Sequence, residues 1–453
     1  MGMAGKRELA VKTPFSLGFL SNTSGLAWFE LQGAAMLPGM LGCEWEMQTS
    51  SAESVKERAI VSVRGSLQEL RAVTEGFQSL CLAADRRKDL CLRVWSDTRD
   101  CFLYSPLAEF DWHVLPAHLL STEGGSFRLE LNWARENVFY GGEVALPISN
   151  SSGSSVTNGL TLYNHDDPSL GHDNWFEVNL QTIGNLLPLP LHLELKNTTN
   201  TEPLADFWLG SMCLPGSGNL PNLVFEAENG VGGTVLTDAG ASSGEYCRYD
   251  WSGSGWHSLA SWMISALDVT RLQGVGLLPL LRLFGASTEA NLKLRWQLLV
   301  DGIPVWVGPA TDLELGQASL RMDPLLIPWG DLPLRSFAVG HQLVLQAFQI
   351  GTGAHRLQLD DFLLLPQQTF GAYHAIGALK YNASLIDDQM RQAVWSESGG
   401  LELTTHVRVG PGHRLQPGTL QRFYCFQREA SGSAPITRTL LVKAWYRPAW
   451  RLP

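Results

Sequence analysis

Charged residues are scarce in this sequence of 453 residues, and they are not gathered into long runs. They make up 17% of the chain, while hydrophobic residues make up 45%, a balance typical of folded globular proteins. The formal net charge is −11, and no run of Lys and Arg is longer than Arg86–Lys88. Nucleic acids and anionic membranes attract proteins through broad basic surfaces, so neither is expected as a partner.

Cysteine is also sparse, and its spacing does not suggest a metal site. The seven cysteines lie singly along the chain, without a C-x-x-C pair. The odd number fits reduced thiols and synthesis in a cytoplasm, which a virus particle made in its host would share. No apolar run approaches the roughly 20 residues that a membrane-spanning helix needs, so we expect no membrane insertion.

Two motifs that carry common catalytic chemistries are absent. The sequence has no G-x-x-x-x-G-K-S/T and no H-E-x-x-H, although Gly240–Gly244 has the spacing of G-x-S-x-G. This favours a protein that is not an enzyme. A glycoside hydrolase would need two carboxylates roughly 5–10 Å apart across a cleft, and the first acids to test would be Asp360 with Asp361 and Asp387 with Asp388.

One amphipathic helix is predicted in the N-terminal part of the chain. Ser66 and Glu69 have the spacing of a capping box, and apolar residues from Leu67 to Ala84 recur every three or four positions. A helix is therefore expected at about residues 67–84. The β-prone segments 59–63 and 90–95 flank it and predict a strand on each side.

Elsewhere the chain alternates apolar and polar residues with the period of a β-strand. This pattern occupies residues 127–133 and 292–298, and residues 439–446 form another β-prone run. We therefore predict a mainly β protein of sandwich or jelly-roll modules in series. Turn-rich segments divide it into an N-terminal β domain with the helix (1–220), a middle domain (221–367) and a C-terminal β segment (368–453).

The densest polar cluster lies at residues 164–174. His165, Asp167 and His172 could surround a cation. Asp-Asp-Pro and Gly-His-Asp-Asn are also ordinary turn sequences, in which side chains hydrogen-bond to nearby backbone. The sequence favours the turn and leaves metal binding open.

A more specific pattern marks the middle domain. It begins with Phe225-Glu226-Ala227-Glu228-Asn229, continues through Ala241–Tyr246, and ends with Leu357–Phe362. This order resembles calcium-stabilised jelly-roll carbohydrate-binding modules. The resemblance implies a structural Ca²⁺ held by Glu226, Glu228 and Asp360, because a hard cation takes several oxygen ligands. Surface carboxylates on edge strands are the alternative.

Four aromatic residues of the same domain lie among glycines, where rings could stack on the apolar faces of sugars. Tryptophan is abundant throughout the chain, with 16 residues, so packing in a core or an interface is the alternative. The four candidates for glycan stacking are Tyr246, Tyr249, Trp251 and Trp256.

The N-terminal block and the last residues together resemble siphophage tail-tip proteins of the distal-tail kind. The similarity lies in the strand–helix–strand unit 60–95, the segments 158–164 and 186–191, and residues 441–448. It implies a virion tail subunit, made in the host cytoplasm, that forms a ring with its own copies and with other tail proteins. The block 222–366 would be an outward-facing insertion able to contact host surface carbohydrate.

The low charge and many aromatic residues suit such a subunit, because interface centres favour aromatic residues and exclude Lys and Glu. The first alternative function is a carbohydrate-binding module protein acting alone. An accessory part of a glycoside hydrolase is a less favoured alternative.

Overall fold

The computed structural model describes residues 15–19, 28–32, 36–51, 53–87, 89–121, 124–167, 169–181, 183, 187–199, 203–215, 220–221, 223–272, 274–326, 340–398, 401–428 and 438–451. Within these residues the protein is mainly β, which confirms the predicted fold class. Neither described α-helix combines the length and the apolar character needed to cross a membrane. The seven cysteines lie within the described residues, and none of them forms a disulfide bond there.

The N-terminal module is an antiparallel sheet with one helix packed on it. Its strands follow the order β2-β1-β5-β6-β7-β4-β3, and β8 joins it beside β6. The strands are β1 (Phe15–Phe19), β2 (Phe29–Gln32), β3 (Met40–Ser50), β4 (Ser54–Gly65), β5 (Leu90–Ser96), β6 (Cys101–Ser121), β7 (Gly124–Glu136) and β8 (Phe139–Tyr140).

Helix α1 (Leu67–Arg87) confirms the amphipathic helix predicted at about 67–84. It begins with the expected capping box: the backbone N–H of Ser66 donates to Glu69 Oε2 at 2.8 Å, and the N–H of Glu69 donates to Ser66 Oγ at 3.4 Å. The face carrying Leu70, Val73 and Phe77 is buried in one core with the sheet. Strands β4 and β5 flank the helix, as the sequence predicts.

The next strands begin a β-sandwich that the end of the chain completes. The first group is β9 (Val144–Ala145), β10 (Ile148–Asn150), β11 (Gly153–Ser155), β12 (Leu160–Tyr163), β13 (Trp175–Asn179), β14 (Leu189–Asn197) and β15 (Leu204–Pro215). The predicted domain boundary near residue 220 adjoins residues 216–219, which lie outside the described residues. Leu186, the first residue of the segment 186–191 that resembles tail-tip proteins, also lies outside them.

The middle of the chain folds into two facing sheets with one short helix, α2 (Ala266–Leu272). Its strands are β16 (Val224–Glu226), β17 (Thr234–Thr237), β18 (Glu245–Ser252), β19 (Gly255–Ile264), β20 (Gly276–Leu283), β21 (Leu292–Val300), β22 (Ile303–Val307), β23 (Thr311–Leu313), β24 (Ser319–Arg321), β25 (Leu325–Leu326), β26 (His341–Gln349) and β27 (Ala354–Pro366).

Two sheets make up this middle module, which we call the jelly roll. The larger has the order β17-β18-β27-β20-β24, with β16 beside β27 and β25 beside β20. The smaller has the order β19-β26-β21-β22, with β23 beside β21. Trp262 and Trp296 of the smaller sheet pack against Phe362 of the larger, so both sheets close over one core.

The C-terminal strands return to the sandwich and to the N-terminal sheet. They are β28 (Gly371–Leu379), β29 (Ser384–Asp388), β30 (Ala393–Ser398), β31 (Leu401–Thr405), β32 (Val407–Val409), β33 (Arg414–Leu415), β34 (Thr419–Arg428), β35 (Thr439–Tyr446) and β36 (Ala449–Trp450).

The two sandwich sheets interleave strands from both sides of the jelly roll. One has the order β11-β10-β13-β34-β15-β28-β32, and the other has the order β12-β35-β14-β29-β30-β31, with β33 and β9 at its margin. Strand β15, which precedes the jelly roll, pairs with β28, which follows it, through partners such as Leu209 and Gly371. The jelly roll is thus an insertion between two neighbouring strands.

The jelly roll and the sandwich share one continuous core. Trp208 of β15 and Phe426 of β34 stack with ring centroids 5.4 Å apart, and both belong to the cluster that fills the jelly roll. The contact is close at Gly210, where an added Cβ would lie 3.2 Å from Leu365. Because apolar side chains pack across the junction, the two modules should unfold together.

The substitution Trp208→Ala tests this shared core. Truncating a buried tryptophan typically costs about 3–5 kcal/mol of the free energy of unfolding, and we expect the jelly roll and the sandwich to lose stability in a single transition. Calorimetry and denaturant titration measure the change. The control is Val156→Ala at an exposed position. Two separate transitions, with the jelly roll unaffected by Trp208→Ala, would contradict the shared core.

Candidate cation site and ligand surface

Asp360 lies at a break in the larger jelly-roll sheet. On one side of β27, strand β18 pairs with residues up to Leu359, and strand β16 pairs from Asp361 onward. On the other side Arg282 pairs with Asp361 and Leu283 pairs with Leu359, so Asp360 is the extra residue of a β-bulge. Bulges redirect side chains, and this one leaves Asp360 outside the regular ladder on both sides.

Three predicted ligands converge on the turn at residues 242–244, which fills this break. Asp360 Oδ1 accepts a hydrogen bond from the Ser242 backbone N–H at 2.8 Å, and Glu226 Oε1 accepts one from Ser242 Oγ at 2.9 Å. Glu228 Oε1 accepts a hydrogen bond from Ser243 Oγ at 2.6 Å. The structure therefore brings Glu226, Glu228 and Asp360 to one turn.

A fourth carboxylate, Asp361, belongs to the same cluster. It is paired with Glu226 across the strands, and its Oδ1 lies 3.4 Å from Nε of the buried Arg282. The sequence offers Asp361 as a candidate hydrolase acid beside Asp360, and not as a cation ligand. Its membership depends on the non-local pairing of β16 with β27, which the sequence does not display.

Burial and mutual repulsion make these carboxyl groups hard to ionise. Burial raises the pKa of Glu226 well above its usual value, and Asp361, Glu228 and Asp360 raise it further. Burial and the charge of Asp361 likewise raise the pKa of Asp360, although Arg282 opposes the shift. Burial also raises the pKa of Glu228. The guanidinium of Arg282 acts against these shifts at Asp360 and Asp361.

The carboxylate oxygens of this cluster are chemically suited to bind a hard cation. Oε2 of both Glu226 and Glu228 is buried without a hydrogen-bond partner among the described residues, and carboxylate oxygens are the ligands that Ca²⁺ prefers. The same part of the chain contains no group of three or more His, Cys, Asp or Glu side chains already placed to hold a metal ion. Binding would therefore require these carboxylates to rotate toward one another.

The four aromatic candidates do not share one surface. Tyr249 is buried, and both it and the half-buried Trp251 pack against the jelly-roll core. Tyr246 stacks on Phe284 with centroids 3.9 Å apart. Trp256 lies on the other sheet, beside Phe348. The alternation of β18 explains the separation of Tyr246 from Tyr249, because successive side chains point to opposite faces.

The cluster at residues 164–174 has the contacts of a turn. Asp167 Oδ1 accepts hydrogen bonds from the backbone N–H of Ser169 at 2.9 Å and of Leu170 at 3.3 Å. His172 Nδ1 lies 2.9 Å from His165 Nε2, so one ring donates to the other. Tyr163 stacks on His172 with centroids 3.7 Å apart.

The acid pair Asp387 and Asp388 lies in the sandwich, in a different module from Asp360 and Asp361. Asp387 is buried and bonded to Tyr373, Gln389 and Arg408. Burial raises its pKa, with Arg408 acting in the opposite direction. Asp388 Oδ1 accepts a hydrogen bond from the Met390 N–H at 2.8 Å. Asp387 therefore links neighbouring strands, and Asp388 closes a turn.

Comparisons with known proteins give no family for this chain. No protein-family model matches it, and no curated protein matches it. The resemblances to siphophage tail-tip proteins and to carbohydrate-binding modules therefore stay predictions.

Among solved structures, the VP2 subviral particle of infectious bursal disease virus is 11% identical to this chain, with a TM-score of 0.19. The match covers 57% of this chain and 65% of the VP2 chain, so this chain spans less than two thirds of the length of VP2. The Gt strain of that virus is 12% identical, with a TM-score of 0.18 and coverages of 76% and 81%. Dimeric latent PorU from Porphyromonas gingivalis is 10% identical, with a TM-score of 0.11 and coverages of 88% and 32%. Similarity this low does not establish a common fold or function.

The carboxylate cluster predicts how stability depends on pH when divalent cations are removed. Unfolded Asp and Glu ionise near pH 4, whereas the raised pKa values of Asp360 and Glu226 keep the folded groups protonated to higher pH. Stability should therefore fall as pH rises from about 4 through the folded-state values. In EDTA, Asp360→Asn should show a shallower fall than the wild type in denaturant titrations from pH 5 to 8. Equal slopes would contradict the raised pKa of Asp360.

Proposed function

We propose that this chain is a structural subunit of a bacteriophage tail tip or baseplate of the siphovirus kind, which assembles into a ring or a tail-associated oligomer. The observation that supports assembly is a set of edge strands that display apolar side chains. Strand β22 pairs on one side with β21, and Ile303 on it is 66% exposed. Strand β32 pairs on one side with β28, and Val409 on it is 63% exposed.

The N-terminal sheet presents a third edge of this kind. Strand β3 pairs with β4 over most of its length, and Leu41 on it is 65% exposed. Monomeric proteins usually protect such edges with charged residues, proline or a covering loop. Strand β22 has one such device, Pro304, and no charged residue, whereas β3 carries Glu44 and Glu46 and β32 carries Arg408. Exposed apolar side chains on an edge strand of each module are expected of a subunit whose neighbours cover them.

An assembly experiment tests this proposal. Light scattering after gel filtration, with negative-stain microscopy, should show ring-like or tube-like oligomers of the full chain. The double variant Ile303→Asp/Val307→Asp should shift the population toward monomers, because charged residues on an edge oppose strand pairing. The matched control is Leu82→Asp, an exposed apolar position on α1.

A stable monomer at high protein concentration would contradict the proposal and favour a carbohydrate-binding module protein acting alone. Equal dissociation by the β22 variant and the Leu82→Asp control would remove β22 as the assembly edge.

We further propose that Glu226, Glu228 and Asp360 hold a structural Ca²⁺ that joins the opening strand of the jelly roll to its closing strand. The support is the convergence of the three carboxylates on one turn and the two unpartnered oxygens. A bound cation would offset the repulsion among the buried acids, and a cation that binds only the folded state stabilises it by an amount that rises with the logarithm of its concentration above the Kd.

Calcium should therefore raise the Tm of the wild type, and the gain should grow with concentration. Glu226→Gln should abolish the gain, whereas Glu314→Gln, an exposed acid of the same module, should retain it. Scanning calorimetry in EDTA and in graded Ca²⁺ measures the effect. A Tm that is indifferent to Ca²⁺ in the wild type would contradict a structural calcium.

A further inference from the structure

The outer face of the smaller jelly-roll sheet carries a row of polar side chains across three strands. Arg295 of β21 is paired with Gln346 of β26, which is paired with Ser258 of β19. The alternate residues Leu294 and Trp296 are buried in the core, so this row points away from it. The neighbouring row is Lys293, Phe348 and Trp256.

The guanidinium of Arg295 is held in one orientation. It lies 3.8 Å from the ring centroid of Trp256, and its Nε donates to Gln346 Oε1 at 2.8 Å. Gln346 is fixed in turn, because its Nε2 lies 3.0 Å from Gln297 Oε1 and 3.2 Å from Ser258 Oγ. With Nε occupied, the Nη1 and Nη2 groups are left as a fork, the arrangement that binds a carboxylate through two hydrogen bonds.

This fork has no acidic partner within the described part of the chain. Among the arginines that stack on aromatic rings, Arg422 on Trp175 is paired with Glu177, and Arg135 on Phe139 is paired with Glu57. Arg93 and Arg99, which also stack on rings, are bonded to serine and threonine hydroxyl groups. The adjacent Lys293 is paired with Asp312 at 3.2 Å. Desolvation lowers the pKa of Arg295, and no neighbouring carboxylate opposes the shift. The chain has a net charge of −11, yet this oriented guanidinium has no acidic partner among the described residues. It can therefore bind an anionic group from another molecule.

We propose that this face binds an acidic glycan, with Arg295 receiving a carboxylate of the sugar chain. Its biological role rests on the tail-subunit function proposed above. The amide of Gln297 and the hydroxyl of Ser258 lie beside the fork and can bond to sugar hydroxyls. Trp256 and Phe348 are half-buried and offer apolar ring surface next to the polar row. A protein partner would be expected to require a larger apolar centre than this row provides.

Binding of oligogalacturonate, a carboxylate-bearing sugar chain, to the full-length protein tests the proposal. Titration calorimetry should detect binding that weakens with salt and exceeds the response to neutral dextran. Arg295→Gln should weaken it at least tenfold. The matched control is Arg321→Gln, which removes an exposed arginine from the opposite sheet and should leave affinity unchanged. Thermal unfolding of both variants verifies that they are folded.

Three outcomes would overturn the acidic-glycan site: no binding above dextran, equal losses in Arg295→Gln and Arg321→Gln, or binding of polyglutamate as strong as that of oligogalacturonate. The last result would show general attraction to carboxylates. Each can occur while the oligomers of the assembly experiment form normally, so failure of this site is distinguishable from failure of the proposed structural role.

Discussion

The arrangement of the modules depends on one buried arginine between the jelly roll and the sandwich. Arg282 is 1% exposed, and its Nη2 donates to Asn164 Oδ1 of the sandwich at 3.3 Å, while its Nε lies 3.4 Å from Asp361. Asn164 Oδ1 also accepts the backbone N–H of Gln427 at 3.0 Å. A buried charge is costly unless its partners stay in place. The junction is therefore held by polar geometry as well as by the apolar packing of Trp208 and Phe426.

The same junction explains why the carboxylate cluster is electrostatically strained. Arg282 acts on Asp361 and Asp360, whereas Glu226 and Glu228 face other carboxylates without a comparable positive partner among the described residues. The break in the sheet at Asp360 gathers these side chains on one turn. A regular ladder would have placed Asp360 and Asp361 on opposite faces. The bulge thus creates both the repulsion and the opportunity for a cation to relieve it.

Local patterns in the sequence predicted local structure well. The capping box of Ser66 and Glu69 located the start of α1, and alternation at residues 127–133 and 292–298 located parts of β7 and β21. Alternation also implies that Tyr246 and Tyr249 face opposite ways, but it does not say which face is buried.

Features that depend on non-local pairing were beyond sequence reasoning. The membership of Asp361 in the acid cluster requires β16 to pair with β27, and the Arg295 row requires three strands in a particular register. Neither register can be read from spacing along the chain, because the strands are separated by long segments and a one-residue slip reverses every face.

A rigidly attached jelly roll gives the two proposed activities a physical connection. The shared core and Arg282 fix the Arg295 row relative to the sandwich, so copies in a ring would present their rows in a repeated, constant orientation. A single fork that engages one carboxylate needs only modest affinity, because linked sites bind a repetitive polymer far more tightly than one site does. Flexible attachment would lose much of that gain through the entropy of ordering each module. Under these two proposals, the buried junction is as important to glycan capture as the binding row itself.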